Sequence, residues 1–188
     1  GSRGMGGLSG MVMGSVSASV VSHASCPVVV VREDNHVTDS TKYGPVVVGV
    51  DGSEVSQKAT AYAFREAQAR GAALIAVHTW MDMQVQASLA GLSAAQSEWA
   101  DIEKEQSELL AENLKEPREE YPDVEVKQLI TRDRPVSALT EAAEGAQLLV
   151  VGSHGRGGFK GMLLGSTSRA LLQSAPCPMM VVRPDEDN

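Results

Sequence analysis

The sequence predicts a doubly wound α/β domain, a five-stranded parallel sheet in the order 3-2-1-4-5 with helices on both faces. Three observations predict it. Short apolar runs recur as "PVVVGVD" (45–51), "ALIAVHTW" (73–80), "VEVKQLITR" (124–132), "QLLVVGS" (147–153) and "PMMVVR" (178–183). All but the third are continuous rather than alternating, the pattern of strands covered on both faces. Segments of helical periodicity separate the runs, so each connection reads as a βαβ crossover. A cluster of glycines follows the fourth run, at the place where a doubly wound sheet holds its ligand.

The elements follow in order. The first run ends in "DGS", and Ser53 is placed to cap a helix over 54–70, where Ala59, Ala63 and Ala67 recur at four-residue steps. Gly71 stops that helix. After the second run, Trp99, Ile102, Gln106, Leu109, Leu110 and Leu114 fall on one face of an amphipathic helix over 93–116, with acidic residues opposite. Pro117 is expected to end it. The third run alternates enough to be a strand nearer an edge. A short helix over 136–144 precedes the fourth run, and another over 166–173 precedes the last. Right-handed crossovers place helices on both faces only if the winding reverses once. The order 3-2-1-4-5, chosen among the allowed ones, puts that reversal between strands 1 and 4, and so sets Asp51 beside 152–158.

Composition narrows the function. The chain has 188 residues, 43% of them hydrophobic and 4% aromatic, and a formal net charge of −8. That charge, with no basic cluster to offset it, argues against nucleic acid as a partner. No apolar run approaches the roughly 20 residues that span a bilayer, and residues 1–14 do not resemble a secretory signal. A cytoplasmic, membrane-free protein is expected. Cys26 and Cys177 each directly precede a proline and show no metal-like or CxxC spacing. They are expected to be packed, reduced thiols, with a disulfide or redox role as the alternative.

The chain repeats itself. Residues 1–32 align without a gap on 152–183 at a constant offset of 151, and half of the 32 positions are identical. Shared residues include Gly1/Gly152, Gly4/Gly155, Gly14/Gly165, Ser15/Ser166, Cys26/Cys177, Pro27/Pro178 and Arg32/Arg183. Identity at that level marks a duplicated unit. The expected organisation is the end of a first domain (1–32), a polar linker (33–44), a complete second domain (45–184) and a short tail (185–188). On this reading the sequence is a piece of a tandem protein that lacks most of its first domain.

Glycine permits positive φ and close backbone approach, so several glycines after a strand turn peptide N–H groups around an anion. The helix beginning at Ser166 adds free N–H groups and the positive end of its dipole. Phosphate suits such a loop, and a plain surface turn is the competing reading. The loop is neither a GxxxxGK[ST] motif nor a GxGxxG after the first strand. Its length and its presence in both copies favour phosphate.

The pattern Gly152-x-x-Gly155, nine residues, then Gly165-Ser166, together with "VVVGVDGS" at 46–53, resembles the ATP-binding branch of the universal stress protein family. The tandem type found in actinobacteria such as mycobacteria is the nearest likeness. The resemblance covers essentially all of 45–183. It implies a Rossmann-like, adenine nucleotide alpha hydrolase-like fold that binds ATP, with Mg²⁺ or Mn²⁺ on the phosphates. In that setting Gly49, Val50 and Asp51 lie against the adenosine, Thr79 meets the adenine, and Asp82 reaches the same pocket. Gly152, Gly155, Gly165, Ser166 and Thr167 hold ribose and phosphates. Val151, Ser153, His154, Arg156 and Gly157 complete the implied set, with His154 and Arg156 either phosphate-facing or simply solvated.

Structural roles compete at several positions. His78 reads as a packed histidine, Trp80 and Trp99 as core or helix-packing residues, and Lys160, which aligns with Ser9, as no Walker-type lysine. Asp51 has a turn-and-cap role as its alternative.

The resemblance implies a nucleotide-dependent regulator of stress response or growth arrest. A slow ATP hydrolase is a second reading, weakened by the lack of an arginine finger or a base aimed at the γ-phosphate. A nucleotide-independent dimerisation module is a third. The family pairs its last strand with the equivalent strand of another domain, which here means "CPMMVVR" (177–183) with "CPVVVVR" (26–32) in the same molecule or in a homodimer. One nucleotide site per chain is expected, because residues 1–32 hold no counterpart of Asp51.

Overall fold

The computed structural model describes residues 14–32, 35, 44–80, 96–155 and 163–184, with residues 96–100 described as backbone only. The first repeat contributes helix α1 (Ser15–His23) and strand β1 (Val28–Val30). The complete unit follows as β2 (Val46–Gly49), α2 (Glu54–Arg70), β3 (Leu74–Thr79), α3 (Gln96–Glu120), β4 (Val126–Thr131), α4 (Pro135–Ala142), β5 (Leu148–Gly152), α5 (Ser166–Ser174) and β6 (Met179–Val182). The sheet runs β1-β6-β5-β2-β3-β4. The five strands of the complete unit are parallel, in the order 3-2-1-4-5 that the sequence predicts, and β1 adds an antiparallel sixth.

Successive residues of each strand point to opposite faces, and two cores result. On one face Val47, Val77, Leu149, Val151 and Val181 pack with Leu139 of α4, Leu171 of α5 and Val21 of α1. On the other, Val46, Val48, Val150, Met180 and Val182 pack with Ala59, Ala63, Phe64 and Ala67 of α2 and Leu110 and Leu114 of α3. The alanine stripe of α2 is wholly buried; its small side chains let the helix axis approach the sheet. Ser53 caps α2 by accepting the Ser56 N–H, and Gly71 ends it in the left-handed conformation at φ 59°.

Three local expectations are corrected. Helix α3 runs through Pro117 to Glu120. A proline there forfeits one intrahelical bond with only the last turn to follow, and that turn still closes through Tyr121 N–H to Pro117 O at 2.9 Å. Leu109 is exposed, because the buried stripe of α3 is the four-residue series Gln106, Leu110 and Leu114, and Leu109 lies about 100° away from it. Cys177 is buried, but Cys26 is exposed and so is not a packed thiol. Burial pushes the Cys177 thiol up to about 11, against the opposing pull of the Leu149 backbone N–H. Trp80 is buried as expected. The side chain of Trp99 lies outside the described residues.

β1 meets β6 about a pseudo-two-fold axis. The register pairs Val28 with Val181, Val29 with Met180 and Val30 with Met179. The repeat offset of 151 carries Val29 onto Met180, so the axis passes through that pair. Arginines from the matching position clamp both sides. Arg32 Nη1 donates to the Gln173 carbonyl in the last turn of α5, and Arg183 Nη1 donates to the Ala24 carbonyl at the end of α1, at 3.3 Å. Each cation sits at the negative end of the other repeat's helix. The intramolecular pairing of the two last strands is therefore present. No helix among the described residues is long and apolar enough to cross a membrane.

Candidate functional site at the carboxyl ends of β2 and β5

β2 and β5 are neighbours, and their carboxyl ends mark the point where the winding reverses. The last ladder bond of β2 runs from Val50 N–H to Val77 O at 2.8 Å. Beyond it the chain turns through Gly52, at φ 80°, into α2. Asp51 Oδ1 accepts from Ser53 N–H at 2.9 Å and from Ser53 Oγ at 2.6 Å, while Asp51 N–H donates to Ser56 Oγ at 3.1 Å. Of the turn-and-cap role weighed for Asp51, the cap is Ser53, while the turn is thus present and engages Asp51 Oδ1. Its Oδ2 points across the crevice to Gly155, where a β-carbon would stand only 2.2 Å away.

The glycine loop is tied at both ends. Ser153 N–H donates to Val182 O at 2.6 Å, and Gly165 N–H donates to Ser153 O at 2.7 Å. Ser168 Oγ donates to Gly152 O at 2.7 Å, and Ser153 Oγ lies 2.9 Å from His154 Nδ1. A β-carbon on Gly165 would come within 3.2 Å of His154 Cα, and one on Gly152 within 3.0 Å of Val55 Cγ1 from α2. These glycines let the two ends of the loop and the start of α2 crowd together. Gly165 is the N-cap of α5 and no side chain caps that helix. Its first-turn amides, from Ser166 and Thr167 onward, have no carbonyl four residues back within the helix. Val151 is buried beneath the loop.

Gly49 faces α4, where a β-carbon would meet Leu139 Cδ1 at 3.2 Å. Thr79 ends β3 opposite Thr131 of β4. The Arg132 guanidinium lies over the neighbouring Trp80 ring at 5.8 Å. His78 is buried, with ring nitrogens on Val50 O and Gln106 Oε1. Asp82, Arg156, Gly157 and Lys160 lie outside the described residues. Asp51, Gly152, Ser153, His154, Gly155 and Gly165 are thus brought together, with Ser166 and Thr167 on the adjoining helix start. Sequence reasoning missed Ser56 and Ser168, which hold the two strand ends. The identity of Ser168 with Ser17 across the repeat is the signal that marks it.

Among the described residues, no group of three or more His, Cys, Asp or Glu is placed to hold a metal ion. The described part of the site offers backbone amides, hydroxyls and one carboxylate, a donor set that suits a phosphorylated ligand better than a bare cation.

A sequence model described as the universal stress protein family matches residues 1–32 and 42–183. This chain belongs to that family. Universal stress protein Rv2005c of Mycobacterium tuberculosis is 48% identical over 183 residues, 97% of this chain and 60% of the relative. Universal stress protein Rv1996 of the same species is 46% identical over 187 residues, all of this chain and 58% of the relative. The chain thus spans about three-fifths of these relatives.

Among solved structures, the hypothetical protein MJ0577 superposes with a TM-score of 0.59 at 19% identity, over 78% of this chain and 99% of its own, and shows the shared fold. A universal stress protein in complex with cAMP gives 0.51 at 27% identity, over 74% of this chain and 96% of its own. The Archaeoglobus fulgidus universal stress protein in complex with dAMP gives 0.54 at 23%, over 74% and 98%.

Proposed function

We propose that this universal stress protein binds one adenine nucleotide per chain, ATP with Mg²⁺ or Mn²⁺, and acts as a nucleotide-dependent regulator in stress response or growth arrest. The observation that carries the reading is the meeting of Asp51 with Gly155 across the crevice, beside the uncapped start of α5. A carboxylate at the end of the first strand suits ribose hydroxyls, which donate to it. Amides at a helix start suit phosphate oxygens, which accept from them. The two lie at the reversal point of one sheet. The cAMP and dAMP complexes of related proteins support an adenine nucleotide as the ligand class.

In this reading Val50, Asp51 and Thr79 contact the nucleoside, with Asp82 beside them. Gly152, Gly155, Gly165, Ser166 and Thr167 hold the phosphates. A divalent cation would be held chiefly by phosphate oxygens, since the described residues supply no cage of their own. The test is denaturing extraction of the purified chain followed by mass spectrometry of released nucleotides and titration of the stripped protein. Retained ATP, or rebinding near one per chain, supports the proposal. A folded chain that neither retains nor rebinds any adenine nucleotide contradicts it.

A further inference from the structure

The peptide unit joining Val50 to Asp51 lies just past the last ladder bond of β2, and side chains take both of its polar groups. Its carbonyl oxygen stands 2.7 Å from Nδ1 of His78, and its N–H donates to Ser56 Oγ at 3.1 Å. His78 belongs to β3 and Ser56 to α2, so two separate elements fix the plane of one peptide. The second ring nitrogen of His78, Nε2, lies 3.0 Å from Gln106 Oε1 of α3. His78 is 6% exposed and Gln106 1%. Helix α3 therefore reaches the turn at Asp51 through a single imidazole.

The proton placement follows from the partners. A carbonyl oxygen only accepts, so Nδ1 must carry the hydrogen. With a lone pair at Nε2, the Gln106 amide would meet it with its NH₂, which half a turn brings to the place where Oε1 stands without moving the shape of the side chain. A buried Nε2 left without that donor would cost free energy, so the glutamine and the tautomer specify each other.

We propose that His78, backed by Gln106, is a positioning residue, a strut that sets the Val50–Asp51 peptide and with it the direction of the Asp51 carboxylate. Its effect on ligand affinity rests on the nucleotide-binding reading above; its effect on the peptide does not.

The test uses the full chain with ¹⁵N-labelled histidine. Long-range ¹⁵N–¹H correlation of the ligand-free protein reports the protonation of each ring nitrogen, and loss of one signal set in His78→Asn assigns it. The expected result is Nδ1 protonated and Nε2 unprotonated. His78→Leu should move the amide resonances of Asp51 and Ser53 and weaken ATP–Mg²⁺ binding about tenfold, ~1.4 kcal/mol. His78→Asn, whose side-chain NH₂ stands where Nδ1–H stood, should restore most of both; His78→Gln, which extends toward the Nε2 position, should not. An Nε2–H tautomer with Nδ1 unprotonated, or equal resonance shifts in His78→Asn and His78→Gln, would overturn the proposal. If the wild-type chain binds no ATP, the function proposed above fails, while the tautomer and the Asp51 and Ser53 resonances still decide the role of His78.

Discussion

Asp51 Oδ2 lies against Gly155 so closely that a β-carbon at position 155 would stand 2.2 Å from it. The carboxylate cannot swing away freely, because its other oxygen accepts two bonds from Ser53. Gly155→Ala must therefore displace either the loop or the turn. We expect a loss of about 1–3 kcal/mol in urea unfolding and at least a roughly tenfold loss of ATP affinity. Unchanged binding in a folded variant would separate the loop from the ligand.

Ser53 has two tasks, capping α2 and holding Asp51. Ser53→Ala should cost about 1 kcal/mol of stability, as for other lost N-caps. Because it also removes one of the two Ser53 bonds to Asp51 Oδ1, the hydroxyl one, and leaves the backbone one, it should weaken nucleotide binding beyond what the stability loss explains. Ser53→Asp restores a capping oxygen but adds a charge beside Asp51. It should recover stability without recovering affinity, which parallel unfolding and titration curves would show.

The thiols should behave oppositely. Cys26 should react with a thiol reagent in the native chain, and Cys177 only after unfolding. The sign of the pH effect follows from the raised native value, about 11 against 9.0 for the free thiol. Between those values the unfolded chain releases a proton that the native chain keeps, so stability falls as pH rises from 9 toward 11. The loss attributable to Cys177 is on the order of 2 kcal/mol. The stability difference between wild type and Cys177→Ala, set at lower pH by the lost packing of a buried side chain, should change with pH only in that window.

The two arginine clamps should hold β1 onto β6. Arg32→Ala or Arg183→Ala should each cost about 1 kcal/mol and raise amide exchange across Val28–Val30 more than across β2 or β5. Uniform exchange throughout the sheet would mean that β1 docks without them.

The parallel order of the sheet was legible because continuous apolar runs and intervening helices leave few topologies. Helix α2 was legible to the residue because cap, stripe and stop coincide at Ser53, Ala59 to Ala67 and Gly71. Pro117 misled because a proline breaks a helix interior but is tolerated in a final turn, and sequence alone does not say which turn is last. Leu109 misled because a helix at the end of a sheet buries only a narrow stripe. Asp51 and the glycine loop were placed together correctly by topology. The bridges made by Ser56, Ser168 and Gln106 were not legible, since a hydrogen bond between distant elements leaves no periodicity. Only the repeat, which keeps Ser168 as Ser17, hinted at one of them.

Nucleotide binding in this crevice is tested most directly by calorimetric titration of ATP with Mg²⁺ into the nucleotide-free chain, with Gly155→Ala and Gly165→Ala alongside. Gly165→Ala is the milder change, its β-carbon meeting His154 Cα at 3.2 Å. Saturable binding near one nucleotide per chain is expected, weakened in Gly165→Ala and more so in Gly155→Ala. No heat from a folded wild-type chain, or equal binding by all three proteins, would contradict it.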